Sequence, residues 1–109
     1  MSRRLPDDPA ELTALFVESI VKQDEAVRHG GVKSVRAFGD TRVRIARKLV
    51  GLGDDAKEQF AALFGHENRI ARVAAAVYLF HCLPDRTLAA MREVAEGDDF
   101  AAYCARLRI

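Results

Sequence analysis

From Phe60 to Leu83 the chain reads FAALFGHENRIARVAAAVYLFHCL: a short amphipathic segment, a polar turn at Gly65-His66-Glu67-Asn68, then a helical stretch crowded with small residues. On a 3.6-residue period Ala71, Ala74, Ala75, Tyr78 and Cys82 fall on one side, while Val73, Val77 and Phe80 fall on another. A helix apolar on two sides needs a neighbour on each, and a single helical hairpin supplies only one. The stretch therefore asks for similar hairpins before and after it. The alanines would let a neighbouring backbone approach closely.

Punctuation and period extend this reading in both directions. Asp8 before Pro9, with Glu11 three positions after the Asp, starts a first helix through a side-chain acceptor, a proline at the first helical position and a carboxylate in the first turn. Leu12, Leu15, Phe16, Ser19, Ile20, Gln23, Ala26 and Val27 recur at three-and-four spacing until Gly30-Gly31. The second helix starts near Lys33, carries Val35, Phe38, Ile45, Ala46 and Leu49, and ends at Gly53. A third begins at Asp54 or Asp55 with Ala56, Phe60, Leu63 and Phe64 on one side. Asn68 caps the fourth, which Pro84 closes. Asp85 to Glu96 forms the fifth, and Asp98 or Asp99 caps a short sixth carrying Phe100, Tyr103, Cys104 and Leu107. No stretch alternates like a strand, so the expected class is all-α. Laying Leu63 on Val94 also lays Asn68 on Asp99 and Ala74 on Ala105, a weak internal repeat.

Composition limits what such a chain can do. Its 109 residues are 50% hydrophobic and 30% charged, with 17 Lys plus Arg against 16 Asp plus Glu. That is ordinary globular chemistry, in one expected domain over 1–109 with 1–8 as an N-terminal extension. A net charge of +1 gives no global field toward nucleic acid or membrane. No apolar run is long enough to span a bilayer, and the basic N-terminus lacks the apolar stretch of a signal peptide. The expected location is the cytoplasm, with Cys82 and Cys104 as reduced, small apolar side chains.

Residues Ala71-Arg72-Val73-Ala74-Ala75 resemble the Val-Arg-x-x-Ala-Ala signature on the second helix of a HEAT repeat, with alanine in place of the valine. The turn aspartate that usually meets the arginine is missing, so Glu67 is the expected replacement. From Leu12 to Leu107 the order of segments is also similar to a small bacterial HEAT/armadillo-like family of domains of unknown function. The marks of this similarity are Gln23-Asp24-Glu25-Ala26, the Gly53 break and the hairpin after it. The resemblance implies a fold, an α-α superhelix of about six helices stacked as three antiparallel hairpins, and no particular activity.

The polar residues offer no catalytic constellation, cofactor site or metal site. His29, His66 and His81 are dispersed and lack ligand partners at helical spacing. Gly30-Gly31 follows a helix and lacks the lysine of a phosphate loop. Ser19 and Ser34 have no histidine near in sequence to activate them. Asp7-Asp8, Asp54-Asp55 and Asp98-Asp99 each precede a helix, where capping explains them. The expected protein is not an enzyme.

Three features are left over. Arg42 and Gln23 each interrupt an apolar stripe on adjacent antiparallel helices, so they are expected to bond to one another, with Arg72, as structural polar groups. Lys33, Arg36, Arg44, Arg47 and Lys48 share one face of the second helix, broken by Asp40. These five are the partner-binding candidates. An acidic protein fits them, and nucleic acid is the second reading, weakened by the absence of interleaved aromatic residues. Ala14, Val17 and Val21 line the far side of the first helix, so the chain is expected to be a monomer or a weak homodimer through Val17 and Val21. The resulting expectation is a non-enzymatic interaction module, one concrete form being an inhibitor or immunity-type partner of another bacterial protein.

Overall fold

Six α-helices and one 3₁₀ turn follow one another in the computed structural model, which describes residues 4–109 apart from the side chains of Val32 and Ser34. Residues 1–3 of the expected N-terminal extension and the Ser34 hydroxyl lie outside the described residues. The helices are α1 (Pro9–Arg28), α2 (Val32–Gly51), α3 (Asp54–Ala61), α4 (Arg69–Leu79), α5 (Pro84–Ala95) and α6 (Phe100–Arg106), with the 3₁₀ turn at Ala62–Gly65. No strand occurs among the described residues, and the chain is all-α. Its helices group into two units, Met1–Gln59 and Phe60–Ile109.

The first unit is built on the α1/α2 pair. Asp8 caps α1 by accepting from the Ala10 amide at 3.4 Å, and Pro9 occupies the first turn. The helix stops where Gly30 takes φ +73°, a left-handed conformation that costs glycine little. There the Gly31 amide reaches the Ala26 carbonyl at 2.9 Å and the Gly30 amide the Val27 carbonyl at 3.3 Å, the paired bonds of a Schellman ending. The chain reverses and α2 runs back along α1: Gln23, late in α1, bonds Val35, early in α2, while Asp7 ahead of α1 meets Lys48 near the end of α2. Leu12, Phe16 and Ile20 of α1, with Ile45, Ala46 and Leu49 of α2, are buried. Gly53, at φ +115°, ends the run.

In the second unit α4 packs on the 3₁₀ turn, α5 and α6, and α5 also packs on α6. Asn68 caps α4 by accepting from the Ala71 amide at 3.1 Å, and Asp99 caps α6 by accepting from the Ala102 amide at 3.0 Å. Val73, Ala76, Met91, Val94, Ala101 and Ala105 form the core, flanked by Phe64, Ile70, Val77 and Cys104. Ala71, Ala75 and Leu79, on the other side of α4, are buried as well. Burial on two sides of α4 is what its sequence requires.

Three expectations change. Pro84 opens α5 instead of closing α4, which already ends at Leu79, because a proline lacks only a donor that the first helical turn does not use. Phe80 and Cys82 thus lie beyond the helix, and Phe80 is 46% exposed. On α6 the large residues Phe100, Tyr103 and Leu107 face water, while Ala101, Ala102 and Ala105 are buried. Small side chains allow α6 close to α4, and that proximity leaves no room for aromatic rings on the inner face.

Candidate functional site: the basic face of α2 and its groove

Lys33, Arg36, Arg44 and Arg47 recur at three, eight and three residues on α2, spacings that keep their side chains within one face over about 21 Å of helix. All four are exposed, as is Asp40 between them. None has a hydrogen bond or ion pair among the described residues. Lys48, the fifth candidate, behaves differently. Its ammonium donates to the Leu5 carbonyl at 3.1 Å and to the Asp7 carboxylate at 2.7 Å, and its side chain is only 27% exposed. This bond and the nearby ammonium charge hold the Asp7 carboxyl below its ordinary value of 3.8. Lys48 therefore fastens the segment ahead of α1 to the end of α2.

Beside this face a groove of about 630 Å³ runs between α1 and α2, with the segment Arg4–Pro6 among its walls. Leu15, Phe38 and Ile45 supply its apolar surface. Arg44 and Thr41 stand on the α2 side, and Glu11, Glu18 and Lys22 on the α1 side, where Lys22 pairs with Glu18 at 2.5 Å. The groove thus has one wall with a guanidinium that has no partner among the described residues and another whose lysine is already matched. Ser19 also lines it, but its hydroxyl donates to the Phe16 carbonyl at 2.6 Å, as an ordinary helical hydroxyl does.

The structural polar residues form two separate networks. Arg42 donates to the Gln23 side-chain oxygen Oε1 at 2.5 Å, and the Gln23 side-chain Nε2 donates to the Val35 carbonyl at 3.0 Å. Gly39 makes space for that amide, since a β-carbon there would stand 3.3 Å from Gln23 Nε2. Arg72 instead donates to the His66 carbonyl at 2.5 Å and lies 3.9 Å from the Glu93 carboxylate. Glu67 is exposed, and Glu93 on α5 takes the role expected of it.

Sequence reasoning missed the strongest polar cluster of the second unit. Arg69 donates to both oxygens of Asp99, at 2.7 and 3.3 Å, and to the Val94 carbonyl at 2.7 Å. Arg106 donates to the Ala95 and Gly97 carbonyls at 2.8 and 3.1 Å. Together they add side-chain donors to carbonyls at and just beyond the end of α5, the Val94 carbonyl also accepting from the Gly97 amide at 3.1 Å. Gly97 was the available signal: a β-carbon there would overlap the Arg69 guanidinium.

Among the described residues no cluster of three His, Cys, Asp or Glu is placed to hold a metal ion, and no helix is long and apolar enough to cross a membrane. His66 is engaged by the Asn68 amide at 2.9 Å, and both cysteines are free thiols. Val21 is 42% exposed and Val17 half-buried on α1.

Comparison with protein-family models, with curated proteins and with solved structures gives no match to this chain.

Proposed function

We propose that this chain is a non-enzymatic protein–protein interaction module, a HEAT-like stack of antiparallel hairpins that holds an acidic partner on the basic face of α2. The observation that carries the reading is the row Lys33, Arg36, Arg44 and Arg47: four exposed cations on a two-helix support, interrupted by the single carboxylate of Asp40 and without an ion pair among the described residues. Such a row costs little when solvated and offers long-range attraction to an acidic surface. Contact of α4 with both α5 and α6 supports layering of successive hairpins, as a short superhelix requires. An inhibitor or immunity-type role in a bacterial cell is the concrete form that a small rigid helical surface suits best, by analogy of fold alone.

The test is quantitative capture of partners by the full chain and by the triple variant Arg36→Glu, Arg44→Glu, Arg47→Glu. A protein retained by the first and lost by the second, with both chains folded, supports the reading; identical capture removes it. Nucleic acid is the second reading, favoured by the same row of guanidinium groups. It calls for affinity to a labelled duplex that falls steeply with salt. With Lys48 held by Asp7, fewer cations remain for phosphates than the sequence offers.

A further inference from the structure

The groove between α1 and α2 is partly used by the chain itself. Leu5 and Pro6 are half-buried against it, Asp7 follows them, and none of residues 5–7 is helical. Lys48 binds this non-helical segment at two points, a main-chain carbonyl and a carboxylate. The chain thus displays, within one molecule, a recognition chemistry in which an apolar side chain meets the groove and an acidic side chain two residues later meets a lysine of α2 beyond the groove.

Arg44 repeats the cationic half of that arrangement one helical turn earlier on α2, inside the groove. Four residues before Lys48, it projects along the same side of α2. It is exposed, lines the groove, and has no carboxylate partner among the described residues. Phe38, a half-buried aromatic residue on the same helix, supplies apolar surface in the groove. The opposite wall does not compete for an incoming acid, because Lys22 is paired with Glu18 and the other α1 charge is Glu11. A carboxylate entering the groove therefore finds its cation on α2 at Arg44, with Arg4 ahead of α1 as the other lining cation, and meets net negative charge on α1.

We infer that this groove binds a non-helical acidic segment of the partner protein, with an apolar residue on Leu15 and Phe38 and a carboxylate on Arg44. The inference rests on the basic-face reading and specifies the part of the partner that this face takes. A non-helical segment suits the site better than a helix, since the occupant already present at one end, residues 5–7, has no helical residue and bends at Asp7. The same segment also competes: while Asp7 holds Lys48, an incoming chain finds one cation of the pair engaged.

The probe is a synthetic peptide of repeated Leu-Pro-Asp units, titrated into the full-length chain and followed by backbone amide shifts. Saturable shifts at Leu15, Phe38, Thr41 and Arg44 are expected. Arg44→Glu should weaken binding tenfold or more. Asp7→Asn should strengthen it several-fold by releasing Lys48, which a purely structural Asp7 would not do. A control peptide with Ser in place of Leu should bind at least tenfold more weakly. If both peptides bind alike and shift only Lys33, Arg36 and Arg47, the groove is not the site while the basic-face reading stands. Absence of binding by the Leu-Pro-Asp peptide overturns the groove inference, and the charge-reversal capture experiment then decides the broader reading separately. A concentration-dependent dimer abolished by Asp7→Asn would assign the groove to a second copy's N-terminal segment and overturn the proposal for a foreign one.

Discussion

Arg69, the first residue of α4, holds Asp99, the cap of α6, through two nitrogen–oxygen contacts of 2.7 and 3.3 Å. One carboxylate thereby starts a helix and anchors it to another, since it also accepts from the Ala102 amide. The same guanidinium reaches the Val94 carbonyl, so the ends of three helices share one cation.

Removing this hub should loosen the second unit. Arg69→Ala is expected to lower the melting midpoint by several degrees, and Asp99→Ala by more, because the latter also deletes a helix cap. Gly97→Ala should cost no more than Arg69→Ala and should be nearly silent in its background, since its β-carbon acts by displacing the Arg69 side chain. Thermal unfolding of the two single variants and the double variant measures this. Additive losses would show that Gly97 is needed for some other reason.

Acid should weaken the fold through two carboxylates. Asp99 is held below its ordinary value of 3.8 chiefly by the hydrogen bond from Arg69, with the Ala102 amide adding to it, and Asp7 chiefly by the hydrogen bond from Lys48. A lowered native pKa means that the unfolded chain takes up protons first. These contributions are therefore complete above the unfolded value and are lost as pH falls below about 3.8 through the native values. Melts from pH 7 down to pH 3 should show a steeper decline for the unmodified chain than for the double variant Asp7→Asn, Asp99→Asn. Parallel curves would refute the assignment.

The Gln23–Arg42 pair bridges α1 and α2 in a partly buried position. Gln23→Leu should destabilise by about 1–3 kcal/mol, because it leaves the guanidinium without its partner. Adding Arg42→Met should recover much of that loss, as apolar replacement of both partners commonly does. Denaturant midpoints at constant slope measure the cycle. Failure of the second substitution to recover stability would give Arg42 a further role.

The inverted burial on α6 gives a direct contrast. Phe100→Ser and Leu107→Ser should change stability by no more than about 0.5 kcal/mol, as exposed substitutions usually do. Ala102→Leu and Ala105→Leu should each cost about 1–3 kcal/mol or more, because both alanines are fully buried with no room for added carbons. Chemical denaturation of the four variants would reverse this ordering if the aromatic side faced the core.

Much of this protein is legible in its sequence because the relevant forces are local. Asp8, Asn68 and Asp99 announce helix starts since a short acceptor side chain can satisfy the free amides of a first turn wherever the rest of the chain goes. Gly30 announces a stop because glycine enters the left-handed region at little cost. The two-sided apolar character of α4 follows from helical period alone, and Gln23 and Arg42 are visible as polar interruptions of apolar stripes. Tertiary packing alone decided the rest. It turned the alanines of α6 inward and its aromatics outward, because helix proximity depends on the space between neighbours and not on hydropathy. It gave Arg72 to Glu93 instead of Glu67, brought Arg69 to Asp99 across a long stretch of sequence, and placed Asp7 on Lys48. Each of those is a meeting of flexible charged side chains, whose partners are chosen by distance in space, a quantity that spacing along a chain does not contain.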